Sequence, residues 1–281
     1  MFSRIRFAKR YLQYYFRSTN GKGHGIHSPF VFDFVNHVLR DNRDFYAFPH
    51  IEALRAALLK DHTKLEIEDM GTGSASLKAG PPSGVKDTNR TVAEIAMTSA
   101  VPARLGRLLF RTVHFFQPRT ILELGTSLGL STSYLAAGNW ESKVITIEGS
   151  ARIAEVAKRN FEKLGLNNIE PVIGNFDPNL ALVLDQLKLL TGRDKIGLAF
   201  IDGNHAKDPV LKYFNMILPY MEESAVFILD DIHWSSGMEE AWTTIVQDPR
   251  VLLTVDLFFF GFVFLRKEFR VKQHFTIHYP N

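Results

Sequence analysis

The stretch ILELGTSLGLST, residues 121–132, decides how this chain folds. An apolar strand, Thr120–Leu124, runs through Glu123 into Gly125, and Gly129 opens a helix over residues 131–137. Glycines at such a turn let the backbone approach a ligand closely at the carboxyl edge of a parallel sheet. The spacing is G-x-x-x-G, not the G-x-G-x-x-G that seats a pyrophosphate against bare backbone and a helix N-terminus. Glu123, two residues before the first glycine, repels a pyrophosphate and suits a cationic ligand.

Outward from this turn, short apolar strands alternate with amphipathic helices. Strands are expected at Lys143–Glu148, Ile169–Ile173, 196–202 and 225–230. Helices are expected at residues 151–164, 180–189 and 209–218. This alternation specifies a parallel sheet wrapped by helices. The helix from Ala151 shows the logic: Ser150 caps it, Ala154, Ala157, Phe161 and Leu164 recur on one face, and Gly165 ends it. Residues 251–258 and 262–266 read as a terminal antiparallel hairpin around Gly261.

Before Thr120 the pattern is mainly helical. Residues 1–100 read as an N-terminal extension and cap, and 101–281 as the sheet domain. Within the extension, residues 1–20 form a basic, aromatic helix with Phe2, Ile5 and Leu12 as its docking residues. Thr91 and Glu94 make a capping box, and residues 104–116 form a further helix. Residues 71–90, rich in Gly, Ser and Pro, form a long loop of the kind that covers sites. LEIEDMGTGS, residues 65–74, also reads strand, acid, glycine, but no helix follows it, so it is set aside as a cofactor loop.

Composition narrows the function classes. The 281 residues are 46% hydrophobic and 22% charged, enough for a packed core. There is no cysteine, so disulfides and Cys-ligated metal centres are excluded. No apolar run reaches the roughly 18–20 residues of a membrane span. A net charge of +3 is no nucleic-acid signature, although Arg4, Arg6, Lys9, Arg10, Arg17 and Lys22 all precede the first acid, Asp33. No secretory h-region follows these charges, so a cytoplasmic protein is expected, with weak membrane-surface contact by the basic N-terminus left open.

Three further strands end in carboxylates. Glu148 lies 19 residues past Gly129, where an acid meets ribose hydroxyls. Asp202 and the pair Asp230-Asp231 end the two later strands at the same edge. Convergent carboxylates suit a hard divalent cation such as Mg²⁺; the alternative is helix capping.

E-L-G-x-x-x-G-x-S followed by I-T-I-E resembles the class I S-adenosylmethionine methyltransferases, most closely their catechol and caffeoyl-CoA O-methyltransferase branch, over residues 105–266. The resemblance implies a Rossmann-like, doubly wound, mostly parallel seven-stranded α/β sheet with a C-terminal antiparallel hairpin. It implies that Gly125, Thr126 and Gly129 hold the methionyl part of the cofactor, with Ser131 near its carboxylate and Glu148 on its ribose. Asn175, Phe176 and Asp177 would line the adenine, although Phe176 and Asp177 depart from the family's usual residues.

LAFIDGNH and FILDDIHWSSG resemble the branch's metal pattern, which would make Asp202, Asp230 and Asp231 the ligands, Asp231 replacing an Asn. His205 stands where the catechol enzymes carry a Lys base, with Lys207 two residues further on. The function so implied is O-methylation of a small hydroxylated acceptor, from S-adenosylmethionine, with a divalent cation assisting. A nicotinamide enzyme, or a binding protein that kept the pocket without the chemistry, are the alternatives. A homodimer is compatible with the sequence, and no nucleic-acid partner is expected.

Overall fold

A computed structural model describes residues 2, 4–18, 27–68, 87–189 and 195–279. These divide into two compact units, one built from Met1–Asn42 with Lys195–Asn281, the other from Arg43–Asp194. The chain opens with helices α1 (Arg4–Arg17) and α2 (Pro29–Phe34) of the first unit. The second unit follows with α3 (Ala47–Leu58), strands β1 (Lys64–Glu68) and β2 (Asp87–Thr91), α4 (Val92–Ser99), α5 (Ala103–Phe116), β3 (Thr120–Leu124), α6 (Leu130–Gly138), β4 (Lys143–Glu148), α7 (Ala151–Lys163), β5 (Ile169–Ile173) and α8 (Phe176–Leu189). The first unit then resumes with β6 (Ile196–Ile201), α9 (Lys207–Ile217), β7 (Met221–Leu229), α10 (Ser236–Gln247), β8 (Leu253–Asp256), β9 (Gly261–Phe264) and β10 (Gln273–Thr276).

In the second unit β3, β4 and β5 pair in parallel in that order. All five residues of β3 are buried, as a strand covered on both faces requires. Helix α7 begins as its sequence specifies: Ser150 Oγ accepts from the Ile153 amide, and Gly165, at φ 67°, ends the helix. The expected capping box closes α4, with Thr91 and Glu94 exchanging side chain-to-backbone bonds. β1 and β2 form an antiparallel hairpin. This accounts for the strand-like start of LEIEDMGTGS without a βαβ unit. Residues 69–86, most of the expected covering loop, lie outside the described residues.

In the first unit β6 and β7 are parallel through α9, and β7 pairs antiparallel with β9, which turns back to β8. The hairpin thus stands where the pattern places it. β10 adds a strand, parallel to β8, beyond the seven expected.

Helix α1 docks on this hairpin by a different face from the one expected. Phe2 is buried, but Ile5 is 85% and Leu12 55% exposed. Phe7, Tyr11 and Tyr14 instead surround the Phe258 ring at centroid distances of 5.0–5.2 Å. The Tyr14 hydroxyl also donates to the Ile277 carbonyl at 2.5 Å. Aromatic residues ring most of this helix, so its periodicity did not single out a face; Phe258, held at φ 74° in the hairpin turn, chose it.

Candidate active site

The glycine turn lies within the second unit, between the carboxyl ends of β3 and β4. Gly125 and Gly129 take φ 108° and 83°, and Ser127 takes 48°, so the segment between strand and helix consists largely of left-handed backbone. At Gly129 a side chain has no room: a Cβ there falls 2.4 Å from the Phe161 ring of α7. Thr126 and Ser131 are buried.

Glu123 has no solvent exposure. Its Oε2 accepts from Thr132 and Thr146 hydroxyls, and the Thr146 hydroxyl also meets Thr126 at 2.6 Å. Its Oε1 has no hydrogen-bond partner among the described residues. Burial pushes this carboxyl from 4.5 up to about 7, against the pull of the Thr132, Thr146 and Ser131 hydroxyls. A buried carboxylate with one unsatisfied oxygen is an unusual feature, and a cationic or hydrogen-bond-donating ligand would relieve it.

Glu148 ends β4 and is tied to the turn. Its Oε2 accepts from the Ser127 amide at 2.8 Å and its Oε1 from the Ser150 amide at 3.0 Å. Burial raises its pKa, opposed by these amides. Glu123 and Glu148 therefore bracket the glycine turn from adjacent strands. Asn175, Phe176 and Asp177 follow β5. Asn175 Oδ1 accepts from the Asp177 amide at 3.0 Å, so its side chain closes the start of α8. A cavity of about 360 Å³ lies at the other end of these strands, lined in part by Tyr46, His50, Trp140 and Asn168, and is separate from this cluster.

The raised carboxyl makes a stability prediction. Between about pH 4.5 and 7 the unfolded chain ionises at this position while the folded chain keeps its proton. Stability therefore falls as pH rises through that window, by up to about 3 kcal/mol from this group. Glu123→Gln removes the titration. Its melting temperature relative to the parent protein is expected to climb between about pH 5 and pH 8. A pH-independent difference in a thermal-denaturation series would contradict the assignment.

The second cluster belongs to the first unit. Asp202, just past β6, His205 and Asp230, just past β7, each bring one ligand atom within 4.8 Å of the others. His205 Nε2 lies 3.6 Å from Asp202 Oδ1. Burial and the adjacent Asp231 charge push Asp230 well above the usual carboxylate range, while a hydrogen bond with Asp202 opposes the shift. Two hydrogen-bonded carboxyls must share a proton, and a hard divalent cation replaces that proton well. Asp231 is not among the three. It sits at φ 53°, and its carbonyl accepts from the Trp234 amide. His205, read from the sequence as a base alone, takes its place in the group. Lys207 is paired to Glu240 of α10 at 2.8 Å.

His233 and Trp234, adjoining this cluster in sequence, are both engaged within the first unit. His233 is held by Asp256 at 2.8 Å and Glu239 at 3.2 Å. Trp234 accepts the Phe2 amide and meets the Phe7 ring edge-on.

Residues 122–232 match the family model described as a methyltransferase domain. Solved structures give the architecture. An O-methyltransferase from Bacillus cereus in complex with S-adenosylhomocysteine is 21% identical, covering 81% of this chain and 94% of that one, with a TM-score of 0.52. A methyltransferase from Podospora anserina, also bound to S-adenosylhomocysteine, reaches 0.54 at 17% identity, over 86% and 97% of the two chains. The chain shares the fold of these two solved methyltransferases. Among curated proteins, a catechol O-methyltransferase of Mycobacterium tuberculosis is 31% identical over 141 residues, 50% of this chain and 60% of that protein. An O-methyltransferase of Aspergillus flavus is 32% identical over 113 residues, 40% and 44% of the two. The chain thus spans about half the length of the curated relatives it matches. No helix among the described residues is long and apolar enough to cross a membrane.

Proposed function

We propose that this methyltransferase transfers the methyl group of S-adenosylmethionine to a hydroxyl of a small acceptor, with a divalent cation assisting. The observation that carries the reading is Glu123: a buried carboxylate with an unsatisfied oxygen, set against a left-handed glycine turn that Glu148 closes from the next strand. The named activities of the relatives support it.

S-adenosylmethionine supplies a methyl group already activated on a sulfonium. The residues of this chain hold it. The turn from Gly125 through Thr126 to Gly129, with Ser131 at the head of α6, forms the bed for the methionyl part. Glu123 supplies negative charge to the cationic cofactor, Glu148 accepts from ribose hydroxyls, and the stretch Asn175, Phe176 and Asp177 borders the adenine.

Asp202 and Asp230 fit a hard cation, and His205 completes the donor set. Such an ion, when bound, lowers the pKa of an acceptor hydroxyl. His205 is within the same cluster and has a ring nitrogen able to take that hydroxyl's proton. One ring nitrogen cannot ligate and take a proton at once, so the two roles require different nitrogens or different stages. The electron balance is simple. The acceptor oxygen forms a bond to carbon, the carbon–sulfur bond breaks with its pair left on sulfur, and the proton leaves through the base. The residues then act mainly by orienting the acceptor in line with the departing sulfur.

The test is methyl transfer to a series of phenols with one or two adjacent hydroxyls, with Mg²⁺ and with chelator. Faster turnover of the adjacent diols, lost on chelation, is expected. Transfer that ignores chelator would contradict the metal's part, and NAD binding in place of S-adenosylhomocysteine would overturn the whole reading.

A further inference from the structure

Helix α1 is attached by one face and leaves another uncovered. Its attached face carries Phe7, Tyr11 and Tyr14, packed on Phe258, with Arg10 paired to Glu239 at 2.9 Å. Ile5, Leu12 and Phe16 are 85%, 55% and 80% exposed. At about 100° per residue these three positions fall within roughly 40° of one another around the axis, on the side away from Phe7 and Tyr14. They form one continuous apolar stripe, not scattered exposures of the ordinary kind.

The charge around the stripe has one sign. Residues 4–17 read RIRFAKRYLQYYFR, with five cations and no acid. Lys9 follows the stripe directly on the wheel, then Gln13, Arg6 and Arg17 on the same edge; the three cations are exposed, with the Arg6 guanidinium also over the Phe2 ring. An apolar stripe bordered by cations is the pattern of a helix that lies in a lipid interface. The cations meet anionic headgroups while the apolar side chains enter the acyl boundary. The docked aromatic face keeps the helix on the body of its unit while the stripe faces outward. The helix therefore needs no refolding to present it.

We propose that α1 is a membrane-surface foot that seats this protein on anionic bilayers through Ile5, Leu12 and Phe16, with Arg6, Lys9 and Arg17 on the headgroups. Full charge complementarity selects an anionic lipid surface over a second copy of the chain, because two copies would bring like charges together along the stripe.

The experiment is co-sedimentation of the full chain with phosphatidylcholine vesicles, with and without phosphatidylserine. Binding is expected only where phosphatidylserine is present. It is expected to fall at least about tenfold between ~0.1 M and ~1 M salt, as the screening length contracts from ~10 Å to ~3 Å. The double variant Ile5→Ser, Phe16→Ser changes exposed side chains without changing charge. It is expected to keep the parent's circular dichroism and lose at least about tenfold in vesicle binding. Arg6→Gln with Lys9→Gln is expected to weaken binding and flatten its salt dependence. Absence of vesicle binding overturns the proposal, as does binding that the serine variant retains. A concentration-dependent dimer in sedimentation velocity, dissolved by the serine variant, assigns the stripe to a second copy and overturns it too. None of these outcomes depends on methyl transfer.

Discussion

Gly129→Ala is expected to lower the melting temperature by about 4–24 °C and to abolish cofactor binding. Two costs coincide at this position. Alanine at φ 83° is strained by about 1–3 kcal/mol. Its Cβ also arrives 2.4 Å from Phe161 Cε1 and 3.3 Å from Ala157 Cβ, so α6 must shift away from α7, at a further ~1–3 kcal/mol. Against a total stability of about 5–15 kcal/mol the sum is large, and in a chain of this size each kcal/mol moves the midpoint by about 2–4 °C. Gly165 is the control. It has φ 67° but nothing within 4 Å of an added Cβ, so Gly165→Ala meets the strain alone. Calorimetric melting of the two variants separates the terms. Equal losses would show that the close approach to Phe161 contributes nothing.

Asp230→Asn is expected to move activity and stability in opposite directions. Asp230 is pushed up by burial and by Asp231, so its ionised form is held at a cost to the fold. A raised carboxyl loses stability as pH climbs above its unfolded value, and asparagine, which does not titrate, regains it. The melting temperature at pH 8 should therefore stay level or rise. The same change halves the carboxylate charge offered by Asp202 and Asp230 to a cation. Methyl transfer is expected to fall about 100-fold or more and to lose its response to Mg²⁺. Initial rates across a Mg²⁺ series, with thermal melting of the same samples, read both arms. A variant that keeps its Mg²⁺-stimulated rate removes Asp230 from the metal site.

Much of this was legible in the chain because its signals were local. The bounds of β3, β4 and β5 follow from short apolar runs closed by turn residues, and α7 and α4 from their caps. What was not legible depended on distant partners. The docking face of α1 was set by Phe258, some 240 residues away. Helix α10 escaped notice although Ser235 caps it, because the stretch before it reads as part of a metal motif. β10 is four residues with little apolar pattern, and its place comes from pairing with β8. At the candidate site, the acids were visible as strand ends, but the sequence ranked Asp231 beside Asp230. In the structure Asp231 takes left-handed backbone, and the three groups whose ligand atoms converge are Asp202, His205 and Asp230. The unsatisfied oxygen of Glu123 has no sequence signal, since it reflects what surrounds the side chain.

Isothermal calorimetry with S-adenosylhomocysteine tests the central claim most directly, on the parent protein and on Glu148→Ala. The account predicts a saturable heat with the parent and a loss of at least about tenfold in affinity for the variant, whose charged acceptor is gone. No heat with the parent, or equal affinity in the variant, would contradict a cofactor held between Glu123, the glycine turn and Glu148.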